Sequence, residues 1–140
     1  MSFLNFLILV LINKLLKIQK IIQRGRIIPS KEELRNFITQ SKLNERELEE
    51  FLNATKNMNP KLDHSLAYRT MMSEIRRDLL KYIGNEIRDI KEIQEEFQIG
   101  EDQLKYHLSM LNQGLYVIES NNKWKATPRG LGFLANAVLG

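Results

Sequence analysis

At 140 residues, the chain is long enough for one compact domain, or for a small domain with an extension. It has 43% hydrophobic and 27% charged residues, ordinary for a globular protein, and no cysteine, which excludes disulfides, zinc–thiolate sites and thiol-based sensing. The net charge of +4 invites a nucleic-acid partner, while His64 and His107 are too few for a histidine metal site within one chain.

Phe3 to Ile22 is the most apolar stretch. Leu4, Ile8, Leu11, Leu15, Ile18 and Ile22 recur at alternating spacings of four and three, which a helix aligns as one seam. That seam suits core packing or dimerisation, and its residues are the candidate homodimer contact. A membrane span needs about 20 largely uncharged residues, whereas the uninterrupted run Phe6–Ile12 ends at Asn13 and Lys14. Association with a membrane surface through the Phe3–Ile12 end is the lesser alternative. A secretory leader has a basic start and a small-residue cleavage site. Neither is visible, so a cytoplasmic location is expected.

Arg24 to Pro29 is a break. Ser30 with Glu33 then matches a capping box opening a helix over Lys31–Gln40. Asn44 with Glu47 repeats the pattern for a helix running to about Asn57. Leu34, Phe37 and Ile38 are expected to meet Leu48, Phe51 and Leu52, giving a helical hairpin with a glutamate-rich outer face. Asn57–Asp63 reads as a linker, and Ser65 or Asp63 as the cap of one long helix from Leu66 to Ile83, with Met71-Met72 as core filler. Residues 1–60 are thus an N-terminal helical segment, and residues 61–140 a second domain.

Gly84-Asn85 ends the long helix with residues tolerant of positive φ. Glu86-Ile87-Arg88 is a brief extended segment suited to pairing with a later hairpin. Asp89 caps a helix over Ile90–Phe97 that turns Ile90, Ile93 and Phe97 inward and leaves Glu92, Glu95 and Glu96 solvated. Gln98-Ile99-Gly100 makes a tight turn with Ile99 pointing in. A helix over Glu101–Gln113 then buries Leu104, Leu108 and Leu111, and Gly114 closes it at C′. Leu115–Glu119 and Lys123–Thr127 are strands joined by Ser120-Asn121-Asn122, with Tyr116, Ile118, Trp124 and Ala126 on the packed side. Thr127-Pro128 opens a last helix carrying Leu131, Phe133, Leu134 and Val138. The expected fold is therefore mainly α: a winged helix-turn-helix with a two-stranded β wing, preceded by an N-terminal helical extension.

Two passages, Tyr106-His107-Leu108-Ser109-Met110-Leu111-Asn112-Gln113-Gly114-Leu115 and Trp124-Lys125-Ala126-Thr127-Pro128-Arg129-Gly130-Leu131, resemble the ArsR-like winged-helix transcriptional regulators, especially archaeal ones. The resemblance covers about half the chain, from Leu66 onward, and implies DNA binding. Glu101 and Asp102 stand where those regulators begin the recognition helix with small hydroxyl residues. They favour the helix dipole and repel phosphate.

If that helix enters the major groove, a rotation of about 100° per residue sets Asp102, Tyr106, Ser109 and Gln113 opposite the inward leucines, flanked by Gln103 and Lys105. Asn121, Asn122 and Lys123 at the wing tip would approach the backbone or minor groove, and Lys125 and Arg129 would add phosphate contacts. His107 and Trp124 read as packing residues. No phosphate loop, nucleophile elbow or paired-histidine motif is present in the sequence, so catalytic residues, metals and cofactors are not expected. The leading expectation is a DNA-binding regulator acting on double-stranded DNA as a homodimer. The alternative is a winged-helix protein–protein or assembly module. It is favoured by charge balance: from Leu66 onward ten basic residues meet ten acidic ones, and the whole excess lies upstream, chiefly in Lys14, Lys17, Lys20, Arg24 and Arg26.

Overall fold

The computed structural model describes residues 5, 8, 9, 11, 12 and 31–139. The architecture is mainly helical, with one small antiparallel sheet. Residues 5, 8, 9, 11 and 12 are helical, and α1 follows at Lys31–Gln40. Ser30 and the Glu33 side chain lie outside the described residues, and so does the capping box expected there. Helix α2, Glu45–Lys56, begins with a complete box: Asn44 Oδ1 accepts from the Glu47 amide at 2.8 Å, and Glu47 Oε1 accepts from the Asn44 amide at 2.9 Å.

The next segment differs from the sequence expectation. Asn57–Asp63 is not a linker throughout, because α3 spans Pro60–Met71 and starts within it. Asn59 Oδ1 accepts from the amides of Lys61 and Leu62, and Pro60 occupies the first turn, where a missing N–H costs nothing. The long helix expected to Ile83 is two helices, α3 and α4 (Glu74–Ile83), parted at Met72-Ser73. No glycine or proline marks this break. Two arginines from the following helix hold it instead. Arg76 donates to the Arg69 and Thr70 carbonyls at 3.4 Å and Arg77 to the Met71 carbonyl at 2.7 Å, satisfying the end of α3. Only Met71 of the methionine pair is core; Met72 is exposed.

Gly84 closes α4 at φ +48°. Strand β1 is Arg88–Asp89, shorter and later than the extended segment expected, and Asp89 also caps α5, Ile90–Phe97, with Glu92 completing the box. Gln98, left-handed at φ 51°, turns the chain into α6, Glu101–Gln113. Gly114 closes α6 at φ −79°, and the left-handed residue is Leu115, at φ 63°. The reason for glycine is space: a Cβ at Gly114 would lie 2.9 Å from the Tyr116 ring.

Strands β2 (Val117–Ser120) and β3 (Lys123–Ala126) meet at a two-residue turn, with Asn121 and Asn122 both left-handed at φ 53° and 63°. β1 pairs with the free edge of β3, so the sheet has three strands in the order β1-β3-β2. The register sets Val117 opposite Ala126 and Ile118 opposite Lys125. Val117 and Ala126 are therefore the inner pair, and Ile118 belongs to the other face, one residue out of phase with the sequence expectation. The last helix, α7, spans Pro128–Leu139. Thr127 Oγ1 accepts from the Gly130 amide at its start and donates to the Leu115 carbonyl at 2.6 Å.

Two clusters fill the interior. Leu79, Leu80, Ile83, Ile93, Leu104, Leu108 and Leu111 are fully buried in the larger one, with Tyr116, Val117, Ala126 and Leu131 around them. Each such aliphatic side chain contributes about 1.5–3 kcal/mol by leaving water. The smaller cluster unites Leu11, Ile12, Ile38, Leu48, Phe51 and Leu52. Phe37 does not join the α1–α2 contact as expected. It packs on the larger cluster, where a Cβ at Gly132 would meet its ring at 3.4 Å, and α1 lies along α7.

Candidate nucleic-acid interface

Helix α6 is two-sided. Leu104, Leu108 and Leu111 have no exposure, whereas Asp102, Gln103, Lys105, Tyr106, Ser109 and Gln113 are all exposed. The structure therefore brings the whole α6 set expected from sequence onto one outer surface. Gln113 Nε2 reaches Ser109 Oγ at 3.5 Å, a long bond that leaves both groups available. Tyr106 sits edge-on to His107, with ring centroids 5.3 Å apart, and the Arg76 guanidinium lies 5.4 Å from the Tyr106 ring centroid. His107 is half-buried, and its Nδ1 accepts from Arg76 Nε at 3.1 Å. Burial, then the Arg76 charge, pull the imidazole below its ordinary value of 6.5. A neutral ring with Nδ1 as acceptor is what this contact requires.

At the hairpin tip, Asn121, Asn122 and Lys123 are exposed. The Asn122 amide donates to Glu119 Oε1 at 2.7 Å, and its carbonyl accepts from the Ile90 amide at 3.2 Å, so the tip is anchored to the start of α5. Trp124 is half-buried against the larger core.

The cations chosen from sequence are less free than their positions implied. Lys105 pairs with Glu101 at 3.0 Å, and this hydrogen bond raises the value of its ammonium. Lys123 pairs with Asp89 at 3.5 Å. The amide of Lys91, more than Lys123, holds Asp89 below the usual carboxylate range. The first pair is exposed and the second partly so, and pairs of this kind contribute little to stability.

Lys125 and Arg129 are a different case, because each is held by a carboxylate of the same chain. Lys125 Nζ lies 2.7 Å from Glu47 Oε1, with side-chain exposures of 13% and 1%. Arg129 lies 2.9 Å from Asp63, donates to Tyr116 Oη at 3.4 Å and stacks on the Tyr116 ring at 4.7 Å. Burial alone would lower the Arg129 value, but Tyr116 and Asp63 outweigh it and raise it. Both cations are thus engaged within the chain. Each carboxylate lies far upstream in sequence, beyond what local spacing reveals. Arg76, which holds both Tyr106 and His107, was missed for the same reason.

Of the expected dimer seam, Leu4, Leu15, Ile18 and Ile22 lie outside the described residues. Ile8 and Leu11 do not offer a free face: Leu11 is 5% exposed within the chain's own smaller core, and Ile8 packs against that core. Between α2 and β2 a half-open cleft of about 390 Å³ is lined by Phe51, Ala54, Leu115, Val117 and Ile118 together with Glu50 and Glu119. Among the described residues no cluster of histidine and carboxylate side chains could hold a metal, and no helix is long and apolar enough to cross a membrane. Comparison with known proteins finds no matching family model, curated protein or solved structure.

Proposed function

We propose that the chain is a DNA-binding transcriptional regulator in which residues 61–140 act as a winged helix-turn-helix of the ArsR-like kind. The observation that carries this reading is the outer surface of α6. Gln103, Tyr106, Ser109 and Gln113 stand clear of a fully buried leucine row, on the second helix of a tight helix–turn–helix. Beside it projects a hairpin tipped by Asn121, Asn122 and Lys123. Amides such as Gln103 can pair two-pronged with adenine, and Tyr106 and Ser109 suit phosphate oxygens. The working form is a cytoplasmic homodimer, since one such module covers little DNA and paired half-sites are read by paired chains. With Leu11 inside its own core, the dimer contact draws on surfaces other than that part of the N-terminal seam.

A protein–protein module is the second reading. It is favoured by the ion pairs Lys105–Glu101 and Lys123–Asp89, which neutralise cations at both the helix and the hairpin tip. One titration separates the two. Fluorescence anisotropy with labelled genomic duplexes at low and at physiological salt should show binding that weakens as salt rises. No binding at the lower salt would sink the regulator reading in favour of the interaction module.

A further inference from the structure

Lys105, Lys123, Lys125 and Arg129 each pair with an acid. Among the described residues Arg35, Lys42, Lys56, Lys61, Lys81 and Lys91 pair with none, scattered along the chain, and neither do Arg69, Arg76 and Arg77. These three arginines gather at the corner where α3 turns into α4. Arg76 is 8% exposed and faces inward, donating to the Arg69 and Thr70 carbonyls with Nη1 and to His107 Nδ1 with Nε. The same guanidinium lies over the Tyr106 ring. One side chain therefore touches both the corner and the outer surface of α6, so the two are contiguous. Arg69 and Arg77 are exposed. Arg77 spends one Nη1 contact on the Met71 carbonyl, and among the described residues the Arg69 side chain makes no hydrogen bond or ion pair. Glu74 and Asp78 are exposed on α4, and among the described residues neither forms an ion pair with Arg69 or Arg77.

We infer that the α3–α4 corner is a DNA-backbone clamp in which Arg69 and Arg77 bind phosphate beside the groove occupied by α6. This rests on the regulator reading above. A planar guanidinium presents a rigid fork that matches a phosphate with two parallel bonds, and it stays charged at every working pH. Arg76 acts as the positioning residue, fixing the corner against Tyr106. The partner is a polyanionic duplex backbone, and the contact carries no sequence information of its own.

The test uses the full chain and labelled mixed-sequence duplex DNA across a salt series. Removing both contacts in Arg69→Gln/Arg77→Gln should weaken binding about tenfold or more on every duplex. It should also flatten the dependence of log affinity on log salt by about 0.9 per lost contact. Lys42→Gln/Lys56→Gln removes the same charge from exposed positions elsewhere and should leave that slope near wild type. Should Arg77→Gln loosen the corner by losing Met71, Arg69→Gln alone still reports, with a slope change of about one. A wild-type slope in the arginine variants, or an equal loss in the lysine variant, overturns the clamp and leaves the regulator reading standing. Absence of wild-type binding at low salt overturns both.

Discussion

His107 is held by a neighbour that cannot surrender its proton. Arg76 Nε donates to Nδ1 at 3.1 Å, so a proton on that nitrogen would face a guanidinium hydrogen with no acceptor between them. The folded protein therefore prefers the neutral ring, and burial together with the Arg76 charge lowers the imidazole value from 6.5. The unfolded chain, free of both, takes up its proton first as pH falls. The stability owed to this contact is then complete above the unfolded value and is lost as pH drops toward the folded one. Urea midpoints measured between about pH 7 and about pH 5 should fall more steeply for wild type than for His107→Gln, whose side-chain oxygen can still accept from Arg76. Equal slopes for the two proteins would mean that His107 titrates alike in both states.

Between elements, a largely buried ion pair joins α2 to β3. Glu47 is 1% exposed, accepts from both the Asn44 amide and Lys125, and leaves Oε2 without a partner. Taking away Lys125 would strand a carboxylate inside the protein, a loss of about 3–5 kcal/mol. Lys125→Met should therefore destabilise the chain by about that amount in urea unfolding. Glu47→Gln/Lys125→Met should recover most of it, because the amide keeps the capping bond and carries no charge. If the double variant is as unstable as the single one, charge burial is not the cause. This pair also shows where sequence reading stops. The bounds of α1, α5 and α6 were legible, since capping residues and leucine spacing are local signals. The outward set of α6 followed directly from that spacing. The break at Met72-Ser73, the phase of β2 and the fates of Lys125 and Arg129 were not legible. Each depends on a partner that the fold brings close: Arg76 and Arg77 for the break, the register against β3 for the phase of β2, Glu47 for Lys125 and Asp63 for Arg129.

Across the whole molecule, contacts run from one end of the chain to the other. Leu11 and Ile12 share a core with α1 and α2, α1 lies along α7, and Leu115 packs against the smaller core directly after α6. Opening the sheet would therefore disturb both clusters together, the condition for one cooperative transition. Trp124 makes that testable without any label. It is the chain's one tryptophan, half-buried on β3 with Arg88 across one edge and Glu119 across the other. Its emission thus reports the sheet, while far-ultraviolet dichroism reports the helices. The two signals should trace a single urea curve. A fluorescence change that ran ahead of the dichroism would show the hairpin peeling away first. The same indole sits one residue from the hairpin tip's Lys123, so a ligand arriving there carries its own optical signal.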